Sequence, residues 1–223
     1  MQQTPAHDLV NPELMSMIPA SAQRIVDVGC MKGSLAKLHR SKFPDTEVIG
    51  IDIDPAYAAA AGEWCTRAIA CDIETVDDVL FDSLFPSDCW IFGDCLEHLR
   101  DPWAVLRKVR QRITPGGCLL ACIPNAQHWS VQWRLVTGQF RYEDQGLLDR
   151  THVRWFTRET MLELFSDTGW ALEQGLARTM HFPQDAAGLA GVSAFAGALG
   201  INVEQAVADA KPMQYIFKLV AKS

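Results

Sequence analysis

The sequence predicts an α/β fold: a seven-stranded, mostly parallel sheet with helices on both faces and a helical or looped insertion after the fifth strand. Three observations carry this expectation. Apolar runs of strand length alternate with helix-like segments between residues 24 and 125. Cap and turn residues stand where those runs meet, among them Pro55, Asp101, Pro102 and the "TPGG" turn. Acids and glycines sit near the carboxyl ends of successive strands, the edge at which such sheets bind ligands.

The elements follow in order. Residues 8–18 read as a short amphipathic lead-in helix within an N-terminal segment 1–23. "RIVDVG" (24–29) is a buried strand, and a helix runs from about Gly33 to Ser41. "EVIGIDI" (47–53) is strand two, followed by a helix over 55–65 that begins on Pro55. "RAIACDI" (67–73) and "DCWIFGD" (88–94) are strands three and four. Asp101 caps a helix over 101–113, "TPGG" ends it, and "CLLACIPN" (118–125) is strand five. Residues 126–156 carry many aromatics and arginines with weak periodicity, which reads as an insertion covering the site. Thr157 caps a further helix closed by Gly169. "WALEQGLART" and residues 213–221 are strands six and seven, with a small-residue helical stretch, 186–211, between them.

Composition narrows the function. A chain of 223 residues, 48% hydrophobic and 21% charged, fits one globular domain spanning 1–223. No apolar run reaches the roughly 18 residues of a membrane span, and the start has no secretion-signal pattern. Seven scattered cysteines without a CxxC pair read as reduced core residues, so a cytoplasmic location is expected. The net charge of −7 argues against nucleic acid as a partner. A homodimer remains open.

The informative stretch is "IVDVGCMKGSLA", residues 25–36. Gly29 and Gly33 bracket a strand-to-helix turn that lets backbone approach a ligand. The loop lacks the G-x-G-x-x-G of a dinucleotide site, and Asp27 would repel a pyrophosphate but suits an amino group. Asp52, about 20 residues on, suits the two hydroxyls of a ribose. Asp72, at the end of strand three, is placed to meet an adenine edge. The ligand expected is adenosine joined to an amino acid.

With these residues in order, 24–125 resembles a class I S-adenosylmethionine-dependent methyltransferase, of Rossmann-like fold. The resemblance rests on "DVGCMKG", Asp52, "CDI" and "DCLEHLRDPWAVLRKVRQRITPGG". It implies S-adenosylmethionine as cofactor and S-adenosylhomocysteine as product. It also implies cofactor contacts from Asp27, Gly29, Cys30, Met31, Gly33, Asp52, Ile53, Asp72, Ile73, Asp94 and Cys95. Met31 departs from the family pattern, which has glycine at that place. A side chain there is expected to keep a negative φ and point away from the cofactor.

Methyl transfer to an alcohol needs a base, and histidine suits neutral pH. His98, in "LEHL", and His152, in "LLDRTHVRWFT" with Asp149, are the catalytic candidates; His128 ranks third as a base. No metal-ligand set stands out, Asp94, Glu97 and His98 being the nearest approach to one. The segment 123–157 resembles bacterial methyltransferases associated with glycosyltransferases and surface-polysaccharide assembly. That implies a sugar or glycan hydroxyl as acceptor, with His128, Trp129, Arg150 and Arg154 binding it; the planar forks of the arginines in this segment suit the diphosphate of a nucleotide-linked or lipid-linked sugar. A non-sugar small molecule is the alternative acceptor, and a non-catalytic cofactor-binding partner protein the alternative role.

Overall fold

The computed structural model describes residues 4, 5 and 7–222. Residues 1–3 and 6 of the expected N-terminal segment lie outside the described residues. Seven strands form one sheet in the order β3-β2-β1-β4-β5-β7-β6. They are β1 (Arg24–Val28), β2 (Glu47–Asp52), β3 (Arg67–Ala70), β4 (Cys89–Gly93), β5 (Cys118–Pro124), β6 (Trp170–Arg178) and β7 (Gln214–Ala221). The first five pair in parallel, and β7 lies antiparallel between β5 and β6. The order reverses at β1 and β4, so their carboxyl ends open a crevice. That crevice holds the site.

Local chemistry sets the helix starts. In α1 (Pro12–Ser16) Asn11 accepts the Leu14 N–H, and Pro12 sits in the first turn. Gly33, at φ 80, opens α2 (Ser34–Lys42). Asp54 caps α3 (Pro55–Ala61) through the Ala56 and Tyr57 amides. A short α4 (Asp78–Asp82), absent from the sequence expectation, is capped by Asp77. Asp101 caps α5 (Pro102–Arg110), the amphipathic helix whose Val105, Leu106 and Val109 are buried. After β5 come α6 (Trp129–Val136) and then α7 (Arg158–Asp167), the latter begun by a reciprocal Thr157–Thr160 capping box.

Two hydrophobic layers sandwich the sheet because strand side chains alternate. Val26 and Val28 face one layer with Phe81, Trp90 and Phe92, while Ile25 faces the other with Leu14, Cys89 and Ile216. All seven cysteines are free, and Cys71 alone among them is not buried.

The expected helical stretch between β6 and β7 is two helices, α8 (Asp185–Ala198) and α9 (Val203–Ala210). Gly200, at φ 68, turns the chain, and Asn202 caps α9. These helices complete the cover begun by 126–156. Trp129 of α6 donates its Nε1 to Asp185 at 2.9 Å and packs with Val192 and Ala210. A Cβ on Gly188 would lie 2.3 Å from the Trp129 ring, so that docking requires glycine. The cover is therefore built from both insertions, not from 126–156 alone.

Candidate active site

The cleft at the β1/β4 crevice is lined by Gly29, Met31, Asp52, Ile53, Asp72, Ile73, Asp94 and Cys95 from the sequence-predicted cofactor set. His98 also lines it. Asp27, Cys30 and Gly33, expected as cofactor contacts, are outside the lining of that cleft. Asp27 is 4% exposed, and burial, with the Asp52 charge adding to it, pushes its carboxyl up to about 7. Cys30 packs in the layer that holds Cys65. Gly33 brings α2 close to α3, since a Cβ there would sit 3.2 Å from the Ala61 Cα. Burial also pushes the Cys95 thiol well above its usual range, which fits packing and not nucleophilic work.

Asp52 organises the loop. Its Oδ2 accepts the Met31 N–H at 2.8 Å and its Oδ1 the Asp54 N–H at 2.9 Å. Burial raises its pKa, partly offset by those amides. Asp72 likewise holds its own turn by accepting the Glu74 N–H. Each oxygen of Asp52 keeps a second lone pair for a hydroxyl. A carboxylate beside the apolar residues Ile53, Ile73 and Leu99 in one cleft suits the ribose and base of S-adenosylmethionine.

Met31 corrects one expectation. Its φ is +47°, not negative, and it lines the cleft instead of pointing away. The turn between Gly29 and Gly33 needs a left-handed residue there, the conformation that glycine enters freely. Met31→Gly should relieve about 1–2 kcal/mol of strain, partly offset by the roughly 0.5–1 kcal/mol entropy cost of glycine. The expected net result is a stability gain of up to about 1.5 kcal/mol in denaturant unfolding, with cofactor affinity changed less than roughly tenfold. A drop in stability would mean that the thioether's packing outweighs the strain.

Beyond Cys95 the chain makes a 3-10 turn, Leu96–His98, and meets the insertion. The Glu97 carbonyl accepts the Val153 and Arg154 amides, both at 3.0 Å, which locks the two segments together. His98 Nδ1 lies 3.2 Å from the Thr151 carbonyl and 3.0 Å from its hydroxyl. Thr151 in turn donates to Asp149 at 2.6 Å, and Thr4 donates to the other Asp149 oxygen. His152 Nδ1 lies 3.3 Å from the Leu147 carbonyl. The rings of His98 and His152 meet edge to face at 4.8 Å. Burial lowers both pKa values, that of His152 to about 4, so both rings are neutral near pH 7.

Thus the structure brings the three catalytic candidates His98, His152 and Asp149 into one cluster, with Asp149 as its anchor. Thr4, Tyr57, Glu74 and Thr151 line the cleft without having been expected there. Of these only Thr151 had a legible signal, standing between Asp149 and His152 in "DRTH".

A second cavity lies under the cover, lined by His128, Trp129, Arg134, Glu143, Leu147, Leu148, Phe182 and Met213 among others. His128 caps α6: the Ser130 N–H donates to its Nδ1 at 3.3 Å. The proton therefore sits on Nε2, a buried donor without a partner among the described residues. Burial pulls the His128 pKa down to about 4, against an ordinary 6.5. The unfolded chain takes up this proton first as pH falls. The resulting stability is complete above about pH 6.5 and drains away toward about pH 4, to the extent of about 3 kcal/mol. Unfolding curves across that window should flatten in His128→Gln; an unchanged acid limb would assign the loss to other groups.

The arginines take protein partners. Arg134 pairs with Glu143, Arg150 with Asp144 at 2.6 Å, and Arg158 with Asp209 at 2.7 Å. Arg154 donates to the Arg100 carbonyl and lies over Trp103, where it lines a separate surface hollow. Arg150 and Arg154 are thus outside the linings of both the cleft and the second cavity. No helix among the described residues is long and apolar enough to cross a membrane.

Solved structures share this architecture. A SAM-dependent methyltransferase from Archaeoglobus fulgidus superposes with a TM-score of 0.63 at 16% identity, over 93% of this chain and 91% of that one. The plantazolicin methyltransferase BpumL in complex with SAH gives 0.59 at 15% identity, over 95% and 80%. Among curated relatives, the trans-aconitate 2-methyltransferase of Methylobacterium nodulans is 26% identical over 114 residues, covering 51% of this chain and 43% of that protein. The ubiquinone biosynthesis O-methyltransferase of Xylella fastidiosa is 30% identical over 130 residues, covering 55% and 52%. The chain spans about half the length of the curated relatives it matches. The family model described as "Methyltransferase domain" matches residues 6–174, and the chain belongs to that family.

Proposed function

We propose that the protein transfers the methyl group of S-adenosylmethionine to an oxygen of a small-molecule acceptor. The observation that carries this reading is the neutral His98–His152 pair, anchored through Thr151 and Asp149, at the edge of a cleft whose acids and loop suit the cofactor. When bound, S-adenosylmethionine supplies a methyl group on a good leaving group, so positioning does much of the work. Asp52 and the 29–33 loop hold the adenosine and amino-acid ends. The cluster takes up the acceptor's proton, with His98 nearest the cleft. The second cavity, with the donor Nε2–H of His128 and the Trp129 and Phe182 faces, receives the acceptor's body.

A sugar or glycan hydroxyl is the second reading. The 123–157 resemblance and the aromatic wall favour it, since ring faces suit the apolar face of a sugar. Its other support, an arginine clamp on a diphosphate, is weakened by the internal pairing of Arg134, Arg150, Arg154 and Arg158. Relatives named for trans-aconitate and for ubiquinone biosynthesis favour a non-sugar acceptor.

Labelled S-adenosylmethionine offered with carboxylic acids, phenols, free sugars and nucleotide sugars tests both readings. Label on an acid or phenol oxygen is the expected result. Label on sugars alone would promote the second reading. Cofactor binding without any transfer would overturn both and leave a non-catalytic partner protein.

A further inference from the structure

We propose that Glu97, His98 and His152 form a binding site for a divalent transition-metal cation at the edge of the cofactor cleft. One ligand-type atom from each lies within 4.8 Å of the others. The Nε2 atoms of His98 and His152 stand 3.9 and 3.8 Å from the same oxygen, Oε1 of Glu97. Glu97 is 2% exposed, and neither carboxylate oxygen has a hydrogen-bond partner among the described residues. A buried carboxylate left without partners carries a desolvation cost that something must offset.

The hydrogen bonds fix what that partner is. Thr151 gives its hydroxyl proton to Asp149, so its oxygen can only accept from His98 Nδ1, as the Thr151 carbonyl also does. The Leu147 carbonyl makes the same demand on His152 Nδ1. Both neutral rings therefore carry their proton on Nδ1 and present an Nε2 lone pair on the side of Glu97. The two Nε2 atoms and the Glu97 carboxyl then share one small volume. At 3.8–3.9 Å the gaps are too long for hydrogen bonds but close to the spread of ligands around one ion. A cation about 2.0–2.2 Å from each atom would draw them together by about 0.5 Å.

The surroundings match a metal site. A histidine ligand ordinarily donates its second nitrogen to a carbonyl or a carboxylate relay, which is the arrangement of both rings here. Two imidazoles and one carboxylate favour zinc, iron, cobalt or manganese over magnesium or calcium. The ligands come from the 3-10 turn and from the insertion, two segments 54 residues apart at His98 and His152, so no local spacing could announce the site. His98 lines the cleft, which gives the ion an entry path and an open position toward an acceptor oxygen.

The inference rests on the methyl-transfer reading only for its role: with an ion bound, His98 Nε2 would be a ligand and not the free base, and the ion would take over activation of the acceptor, whereas binding can be measured without any acceptor. Chelator-treated protein is titrated with Co²⁺ and followed by visible absorption and by calorimetry, with Zn²⁺ and Mn²⁺ as competitors. One saturable Co²⁺ site per chain is expected. Glu97→Gln and His152→Ala should lose it while still binding S-adenosylmethionine, which checks their fold. Thr151→Val, which removes the hydroxyl behind His98, should weaken it by about 10–100-fold. No saturable uptake by the wild type, or unchanged uptake in Glu97→Gln or in His152→Ala, overturns the proposal. A protein that methylates but binds no cation separates this inference from the function it adjoins.

Discussion

Asp52→Ala should weaken S-adenosylmethionine binding by about 10–150-fold, the equivalent of roughly 1.5–3 kcal/mol for a lost charge-assisted hydrogen-bond pair. Two losses combine in that figure. The cofactor's ribose hydroxyls lose their acceptor, and the Met31 amide, in a left-handed residue, loses the oxygen that holds the loop. Asparagine is not a neutral substitute, since Oδ1 and Oδ2 each accept a backbone N–H and a carboxamide has one acceptor oxygen. Calorimetry on Asp52→Ala and Asp52→Asn, beside their melting temperatures, separates the two losses. Weak binding with unchanged melting points to the ribose contact, and weak binding with lower melting to the loop. Unchanged affinity would remove Asp52 from the site.

Much of this architecture is legible in the chain because parallel strands declare themselves locally. β1, β2, β4 and β5 are near-continuous apolar runs, as strands buried on both faces must be. Their boundaries fall within three residues of the sequence expectation, and Asp101 and Thr157 mark helix starts that the structure bears out as caps. The helix Asp78–Asp82 escaped because five residues give a 3.6-residue period little room to show. Met31 was legible as an anomaly but not in its conformation, since a side chain type does not fix φ in a glycine-bracketed turn.

The site divides the same way. Residues at strand ends are ordered by the sheet, so counting along the sequence finds those that line the cleft. The acceptor side is built by contacts between distant segments: Glu97 with Val153 and Arg154, Trp129 with Gly188, Thr4 with Asp149. None of these has a periodic signature. The arginines illustrate the limit most plainly. Their number and planar chemistry suggested a phosphate clamp, yet Glu143, Asp144 and the sequence-distant Asp209 claim three of them. A charged side chain's partner is a tertiary fact.

His98→Ala should have the largest effect on turnover, lowering kcat by about 10²–10⁴-fold, the range for removing a positioned acid–base group. Cofactor affinity should change little, because the proposed cofactor contacts, Asp52 and the 29–33 loop, are left intact. The ring is fixed by two contacts to Thr151, whose hydroxyl leans on Asp149, and that tie gives the test its internal control. Thr151→Val keeps the imidazole and the carbonyl contact but removes the hydroxyl, so its kcat should fall between those of the wild type and His98→Ala. A group that merely packs the turn would show a different order, with Thr151→Val harmless and His98→Ala losing stability along with activity. The measurement is steady-state kinetics on whichever acceptor takes up label, with melting temperatures alongside. A rise in acceptor KM at unchanged kcat would make His98 a binding residue and move the proton acceptor elsewhere in the cluster. Loss of kcat at full stability, graded through Thr151→Val, ties the chemistry to the place where the insertion closes on the carboxyl edge of the sheet.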